Sequence, residues 1–180
     1  IKSPLGDLAC LASGEGVKYK LQFAGANNSL YVIASDSEAI AQNTHIASEA
    51  DLALTQIVSH ASRNDKLRLF EVKGDKMPIA IHNAMNPFTN HSIELHPGDI
   101  LYLCTDGFKD QLGGSKGRKF MVQNFVQLLT DICTKPMNEQ KNILDKTLEE
   151  WKNGHEIKYE QTDDVAVMGI RIWSVNLSFV

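Results

Sequence analysis

Alternating apolar and polar residues predict that the chain opens with β-strands. Asp7–Ala12 and Val17–Ala24 have the pattern of two strands joined by a glycine-containing hairpin loop, and Leu30–Ile33 follows as a third strand after a turn. The second of these strands alternates regularly, so one of its faces is expected to be buried and the other solvated. The opening segment is therefore predicted to be a β-meander.

The segment from residue 35 to residue 66 changes from a polar stretch to a helical pattern. Ser48 and Asp51 have the spacing of a helix N-cap, and small and apolar residues then recur three or four positions apart. We expect an amphipathic helix over about Glu49–Ala61. Its apolar stripe must be covered, so it is interpreted either as a regulatory or dimerisation helix or as an insertion that covers the sheet.

The remaining pattern predicts further strands and two long helices. A Pro-Gly pair favours a hairpin between the two strands that precede the helices. The predicted elements are, in order, a strand at Leu67–Val72, the hairpin strands Ser92–Leu95 and Ile100–Thr105, a helix between Val122 and Ile132, a helix from a cap at Asn138 to Gly154, and a strand at Asp164–Ile172. Helices grouped between runs of antiparallel strands predict an α+β layered domain rather than a doubly wound sheet.

Composition is that of an ordinary soluble domain and narrows the classes of function. The 180 residues are 43% hydrophobic, which is enough for a real core, and the net charge of -4 lacks the basic footprint of nucleic-acid binding. No apolar run approaches the roughly 18–20 residues of a membrane span. The three cysteines, Cys10, Cys104 and Cys133, are far apart in the sequence. This spacing favours reduced thiols in a cytoplasmic protein.

Two acidic turns carry the strongest chemical signal. Asp106 follows an apolar strand, and Gly107 after it permits a tight turn and a close approach of the backbone to a ligand. Asp163 and Asp164 precede the last strand, and adjacent carboxylates repel each other unless a cation relieves the repulsion. If both strands are central, the turns meet at one end of the sheet, where their oxygens would suit Mg²⁺ or Mn²⁺. Plain turns and solvated strand caps contain the same residues, and spacing alone leaves both interpretations open.

Around these turns the sequence resembles bacterial PPM-type phosphatases of the SpoIIE-like branch. Residues 97–107, PGDILYLCTDG, are similar to the family's Gly-Asp…(Ser/Thr)-Asp-Gly segment, and residues 162–167, TDDVAV, to its closing Asp-Asp segment. Further segments resemble the family in the same order, namely FAGANNSLY at 23–31, KGDKMPI at 73–79 and FKDQLGG at 108–114. The resemblance covers residues 1–180 as one partial domain, except for a variable helical insertion at about 35–66.

The resemblance implies a β-sandwich flanked by helices, with a site for two Mn²⁺ or Mg²⁺ ions at one edge. In the family, a water held by the metals hydrolyses phosphoserine or phosphothreonine. Carried over by motif, Asp106 and Asp163 would be the catalytic metal ligands, and Asp164 would be an outer or weaker ligand. The usual substrate in this branch is a phosphorylated regulatory protein, an anti-sigma-factor antagonist, and the domain follows a sensor domain in bacterial signal transduction.

The sequence departs from the family at one motif. The aspartate that bridges the two metals belongs to an upstream Asp-x-x-Gly-His-Gly motif, and these 180 residues contain no such motif. We therefore expect the N-terminal part of the domain to be missing, and the chain alone to bind metal weakly with little or no activity. The alternative function is a non-catalytic module that binds a partner or dimerises. Uncovered sheet edges favour a homodimer.

Residues 113–119, GGSKGRK, are rich in glycine and basic side chains. Lys116, Arg118 and Lys119, together with Gly107, are candidates for binding a phosphoprotein substrate over the metal site. The spacing does not match a Walker A loop. A mobile solvated loop is the other interpretation.

Overall fold

The computed structural model describes residues 18–34, 54–57, 67–80 and 86–173. These residues form nine strands, namely β1 (Tyr19–Phe23), β2 (Leu30–Ala34), β3 (Leu54–Ile57), β4 (Arg68–Val72), β5 (His91–Leu95), β6 (Ile100–Cys104), β7 (Leu112–Gly113), β8 (Arg118–Lys119) and β9 (Val167–Arg171). They also form three helices, which are α1 (Gly107–Asp110), α2 (Val122–Ile132) and α3 (Met137–Asn153).

The elements stack in three layers around two cores. The middle layer is an antiparallel sheet with the strand order β3-β4-β2-β6-β9. One of its faces packs against the two-stranded sheet β1–β5, and the other packs against α2 and α3. The predicted α+β fold, a layered β-sandwich flanked by helices, is confirmed.

Strand β2 lies at the centre of this arrangement. It pairs with β4 on one side and with β6 on the other, and all five of its residues are buried. Because strand side chains alternate between faces, Leu30, Val32 and Ala34 enter the core under the small sheet, while Tyr31 and Ile33 enter the core under the helices. A strand that is buried on both faces requires an uninterrupted apolar run, and β2 has one.

Two predicted strand pairings are wrong. Strands β5 and β6 follow each other through a tight turn, but β5 pairs with β1, whereas β6 pairs with β2 and β9. The predicted β-meander is also wrong, since β1 and β2 lie in different sheets and do not pair with each other. The turn is a corner between sheets, held by buried Asp99, whose Oδ2 accepts the His96 N–H at 2.8 Å. The predicted strand Asp7–Ala12 lies outside the described residues.

The predicted helix over Glu49–Ala61 is wrong where the structure describes it. Leu54–Ile57 is strand β3, which pairs antiparallel with β4 at the edge of the middle sheet. The segment contains β-branched Thr55 and Ile57, which favour strands. The sequence of this segment therefore has both a helical spacing and residues that favour a strand, and hydrogen bonding to the edge of β4 selects the strand. The rest of the segment lies outside the described residues, and the insertion at 35–66 stays a prediction.

Helices α2 and α3 occupy the spans predicted for them, with small shifts at their ends. Helix α3 begins at Met137 after Pro136, without a side-chain cap at Asn138. It ends at Asn153, with Gly154 closing it as predicted, and the Gly154 N–H donates to the Glu150 carbonyl at 2.8 Å. Among the helices that the structure describes, none has the length and apolar character needed to cross a membrane.

A buried polar network ties the turn between α2 and α3 to the middle sheet. The Tyr102 hydroxyl donates to Gln140 Oε1 at 2.6 Å, and the Gln140 amide donates to the carbonyls of Cys133 at 3.1 Å and Lys135 at 2.8 Å. Arg171 on β9 donates to the same two carbonyls at 2.6 and 2.7 Å. Burial raises the pKa of the Tyr102 hydroxyl, which keeps it protonated as a donor. The network thus satisfies two carbonyls of the turn that follows α2, those of the C-cap residue Cys133 and of Lys135.

Substitution Gln140→Leu tests this network. It leaves the buried Tyr102 hydroxyl without its acceptor, so we expect the free energy of unfolding to fall by about 1–3 kcal/mol. The matched control is Asn142→Leu on the exposed face of the same helix, where a change within about 0.5 kcal/mol is expected. Urea denaturation measures both variants. Equal stabilities would contradict a stabilising role for the network.

Candidate functional site

The two acidic turns meet at one end of the middle sheet. Strands β6 and β9 are antiparallel neighbours with Cys104 opposite Val167, so the residues after β6 lie beside those before β9. Thr105 joins the two turns. Its N–H donates to the Ala166 carbonyl at 3.0 Å, and its hydroxyl donates to the Asp164 carbonyl at 2.8 Å and accepts the Ala166 N–H at 3.0 Å. The turns therefore converge as expected, although β9 is the last strand of the middle sheet among the described residues rather than a central one.

Gly107 allows the turn after Asp106 to approach the other turn closely. A Cβ atom at Gly107 would overlap the carbonyl group of Asp164, so a larger residue would push the two turns apart. Gly107 also begins α1, where Phe108 is buried against Phe125 with ring centroids 5.0 Å apart. Backbone proximity and this aromatic anchor together fix the position of Asp106. A role of Gly107 in substrate binding stays a prediction.

The three carboxylate residues Asp106, Asp163 and Asp164 are exposed at this sheet end. The Asp106 side chain makes no capping hydrogen bond to α1. Asp163 Oδ1 accepts the Asp164 N–H at 2.8 Å. The site thus offers carboxylate oxygens that solvent and ligands can reach, and such oxygens are the ligands that Mg²⁺ and Mn²⁺ prefer.

The carboxylate oxygens of these residues are the type of ligand that a divalent cation prefers, but they are too few for a two-metal site. Across residues 18–34, 54–57, 67–80 and 86–173, no group of three or more His, Cys, Asp or Glu side chains is placed to hold a metal ion. A two-metal site clamps two cations about 3.5–4 Å apart and needs ligands for both. Asp106, Asp163 and Asp164 alone would be too few for such a site, and further ligands would have to come from other residues.

Two more loops lie at this end of the sheet, and the sequence did not assign them to the site. The loop before β2 is locked to the loop after β4, because the Asn27 N–H donates to the Asp75 carbonyl at 2.7 Å and the Asp75 N–H donates to the Gly25 carbonyl at 2.8 Å. Asn28, the next residue, lines the same cavity as Thr105. A possible sequence signal was the Asn pair itself, since Asn tolerates the left-handed conformation that Asn27 adopts with φ 61°.

A cavity of about 780 Å³ extends from the acidic turns along β9. Its walls are formed by α3 and by residues 165–169, and its lining is mainly apolar, including Met137, Leu144 and Leu148. Apolar walls favour packed side chains over a charged phosphate. The cavity is therefore a separate feature from the carboxylates at its end.

The basic segment at residues 113–119 lies in a short hairpin, β7–β8, and its residues 114–117 form the turn between the two strands. The hairpin packs on the end of α3, where the Gly114 N–H donates to the Trp151 carbonyl at 2.9 Å. The Trp151 indole N–H in turn donates to the Gln111 carbonyl at 3.1 Å. A Cβ atom at Gly113 would overlap the Trp151 backbone, which explains a glycine at this contact.

The hairpin presents exposed basic side chains and follows the Asp106 turn closely in the sequence. Lys119 forms an ion pair with Asp110 at 3.0 Å, while Lys116 and Arg118 have no ionic partner among the described residues. Such cations attract a phosphorylated or acidic ligand. Their role in substrate binding stays a prediction.

Cys104 lies next to Thr105, but its thiol is not suited to nucleophilic attack. The residue is buried and forms no disulfide. Burial raises the pKa of the Cys104 thiol, and Lys109 nearby offsets this only in part. Because the thiolate is the reactive form, the raised pKa disfavours the Cys104 thiol as a nucleophile.

Comparisons with known proteins agree with this architecture. The sequence model of the SpoIIE family, described as Stage II sporulation protein E, matches residues 53–173. Among solved structures, the SiaA-PP2C domain of Pseudomonas aeruginosa is similar, with a TM-score of 0.59 and 26% sequence identity. The match covers 87% of this chain and 50% of that chain, so this chain spans about half the length of its solved relative. A search of the curated proteins finds no match.

The family match includes β6, β9 and both acidic turns. The layered antiparallel sheets and their helices agree with the structural match. Since the match extends over more than half of the chain, the protein belongs to the SpoIIE family and has the fold of a PP2C-like (PPM) phosphatase domain.

Proposed function

We propose that this chain is part of a metal-dependent phosphatase domain that hydrolyses phosphoserine and phosphothreonine in proteins. The observation that carries the proposal is the pair of acidic turns held together by Thr105. In a chain of this family, exposed carboxylates at a fixed sheet end provide a place where a cation and a phosphate ester can approach together.

Asp106 and Asp163 are proposed to hold Mn²⁺ or Mg²⁺, with Asp164 as a weaker ligand. When bound, such a cation supplies Lewis-acid chemistry for the attack of water on phosphorus. The chain itself would hold the carboxylates in position. Gly107 and α1 fix Asp106, Thr105 fixes the backbone of Asp164, and solvent reaches all three carboxylate residues. No protein nucleophile is required.

The basic hairpin supports a phosphorylated protein as the substrate. The whole chain carries a net charge of -4, whereas the hairpin has three basic residues, Lys116, Arg118 and Lys119, of which Lys119 pairs with Asp110. A phosphoryl group adds about -1.5 to -2 charges that such side chains attract. We propose a phosphorylated regulatory protein, such as an anti-sigma-factor antagonist, in a cytoplasmic bacterial signalling pathway with an upstream sensor domain.

A non-catalytic module of the same fold is the second candidate function. It is favoured by the shortage of metal-ligating side chains around Asp106 among the described residues. Such a module would use the fold to bind a partner or a second copy. Metal-dependent turnover distinguishes it from the enzyme.

Calorimetric titration of Mn²⁺ tests the metal site. The wild-type chain is expected to bind weakly, and Asp106→Asn is expected to lower the affinity on the order of tenfold or more, because it removes the charge of one proposed ligand at nearly constant shape. The control is Asp131→Asn, an exposed carboxylate on α2 that accepts a hydrogen bond from Gln127. Its titration should match the wild type. Equal binding by the wild type and Asp106→Asn would remove the metal-site assignment.

Hydrolysis of p-nitrophenyl phosphate tests whether these 180 residues form a complete site. With Mn²⁺ we expect little or no turnover, because the described residues supply only part of the ligands of a two-metal site. Robust manganese-dependent turnover that Asp106→Asn abolishes would show a complete site and contradict this expectation. If a longer chain with an added upstream Asp-x-x-Gly-His-Gly segment is also inactive, the non-catalytic module is the better function.

A further inference from the structure

Gln111 is a buried polar residue at the end of α1, the short helix that follows Asp106. It is only 1% exposed. Its backbone carbonyl accepts the Phe120 N–H at 3.0 Å and the Trp151 indole N–H at 3.1 Å. The backbone of Gln111 is therefore fixed from two sides, by the residue after β8 and by α3.

The side-chain amide of Gln111 reaches the chain that leads to the second acidic turn. Its Nε2 atom donates to the Glu160 carbonyl at 3.0 Å and to the carbonyl of the neighbouring Leu112 at 2.9 Å. Both partners can only accept, so the amide nitrogen has to face them. The Oε1 atom is buried and has no hydrogen-bond partner among the described residues. Burying such an acceptor lowers stability, so the benefit of this side chain lies in the two bonds that it donates.

The segment that carries Asp163 contains no helix or strand. It runs from the end of α3 at Asn153 to the start of β9 at Val167, and the structure describes all of it. Residues 160–164 are all exposed. A segment with few buried contacts is ordered only where hydrogen bonds hold its backbone.

Both ends of this segment are anchored to other parts of the chain. The Tyr159 N–H donates to the Lys152 carbonyl on α3 at 3.0 Å, and the Asp164 carbonyl accepts the Thr105 hydroxyl at 2.8 Å. Between these anchors, the bond from Gln111 to the Glu160 carbonyl is the one hydrogen bond among the described residues that ties residues 160–163 to a distant part of the chain. It supports Asp163 from the side opposite Thr105.

We propose that Gln111 is a positioning residue that orders Asp163 for metal binding. Thr105 and Gln111 lie on either side of Asp106 along the chain, and their acceptors, Asp164 and Glu160, lie on either side of Asp163. The two aspartates are thus enclosed in one frame that is closed at both ends. A ligand that is ordered before the cation arrives reduces the entropic cost of binding.

The inference rests on the proposed metal site, but the ordering of the Asp163 segment does not require a metal. Gln111→Met tests it, because methionine keeps an unbranched side chain of similar length and removes both donors. In the metal-free chain we expect residues 161–164 to become more mobile, which lowers their ¹⁵N heteronuclear NOE values. We also expect the Mg²⁺ concentration for half-saturation, followed by amide chemical shifts, to rise about tenfold.

The matched control is Gln140→Leu. Gln140 is also 1% exposed and also donates to two carbonyls, but it lies at the turn between α2 and α3. This variant should be less stable than the wild type and yet keep the wild-type NOE values at residues 161–164 and the wild-type Mg²⁺ affinity. The comparison separates positioning of Asp163 from a general loss of stability.

Unchanged NOE values and unchanged Mg²⁺ affinity in Gln111→Met would overturn the proposal, and so would equal losses in Gln140→Leu. If Gln111→Met does not fold, Gln111→Asn takes its place, since the shorter side chain withdraws the amide from the Glu160 carbonyl. A wild-type chain whose acidic turns do not respond to Mg²⁺ would remove the metal site from the proposed function. The NOE values alone would then decide whether Gln111 orders Asp163.

Discussion

The hydroxyl of Thr105 holds together the two turns on which the proposed chemistry depends. It donates to the Asp164 carbonyl and accepts the Ala166 N–H, so one small side chain satisfies two backbone groups of the other turn. Each such bond contributes only about 1 kcal/mol to stability. Strand pairing between β6 and β9 aligns Cys104 with Val167, and the backbone bond from the Thr105 N–H to the Ala166 carbonyl is the next contact between the two turns. Thr105 therefore extends the hydrogen bonding between β6 and β9 as far as the turns that carry the carboxylates.

Much of the fold could be predicted because several elements bury one well-defined face. The apolar stripes of α2 and α3 face the sheet, so their spacing is visible in the sequence, and Gly154 marks the end of α3. The partners of each strand could not be predicted. A Pro-Gly turn suits a hairpin and a corner between sheets equally well, and Leu54–Ile57 combines helical spacing with β-branched residues. In both places, contacts with distant strands decide the structure.

The candidate site shows the same division between local and distant causes. Asp106 and Gly107 could be identified because a carboxylate and a glycine directly follow a buried strand, and Asp163 because it precedes another. Thr105 and Asn28 could not be assigned a role, since their neighbours at the sheet end come from remote parts of the chain. The hairpin β7–β8 also escaped prediction, because its main support is the Trp151 backbone of α3.

The acidic turns are joined by hydrogen bonds between residues 59 and 61 positions apart in the chain. Closing so long a loop has an entropic cost, and contacts of this range slow folding. We therefore expect the sheet end to form only when β6 pairs with β9. In the unfolded chain, Asp106 and Asp163 belong to separate segments, so a cation bound by both recognises the native state alone. By mass action such an ion would favour folding itself, and its supply would influence how much of the chain is folded.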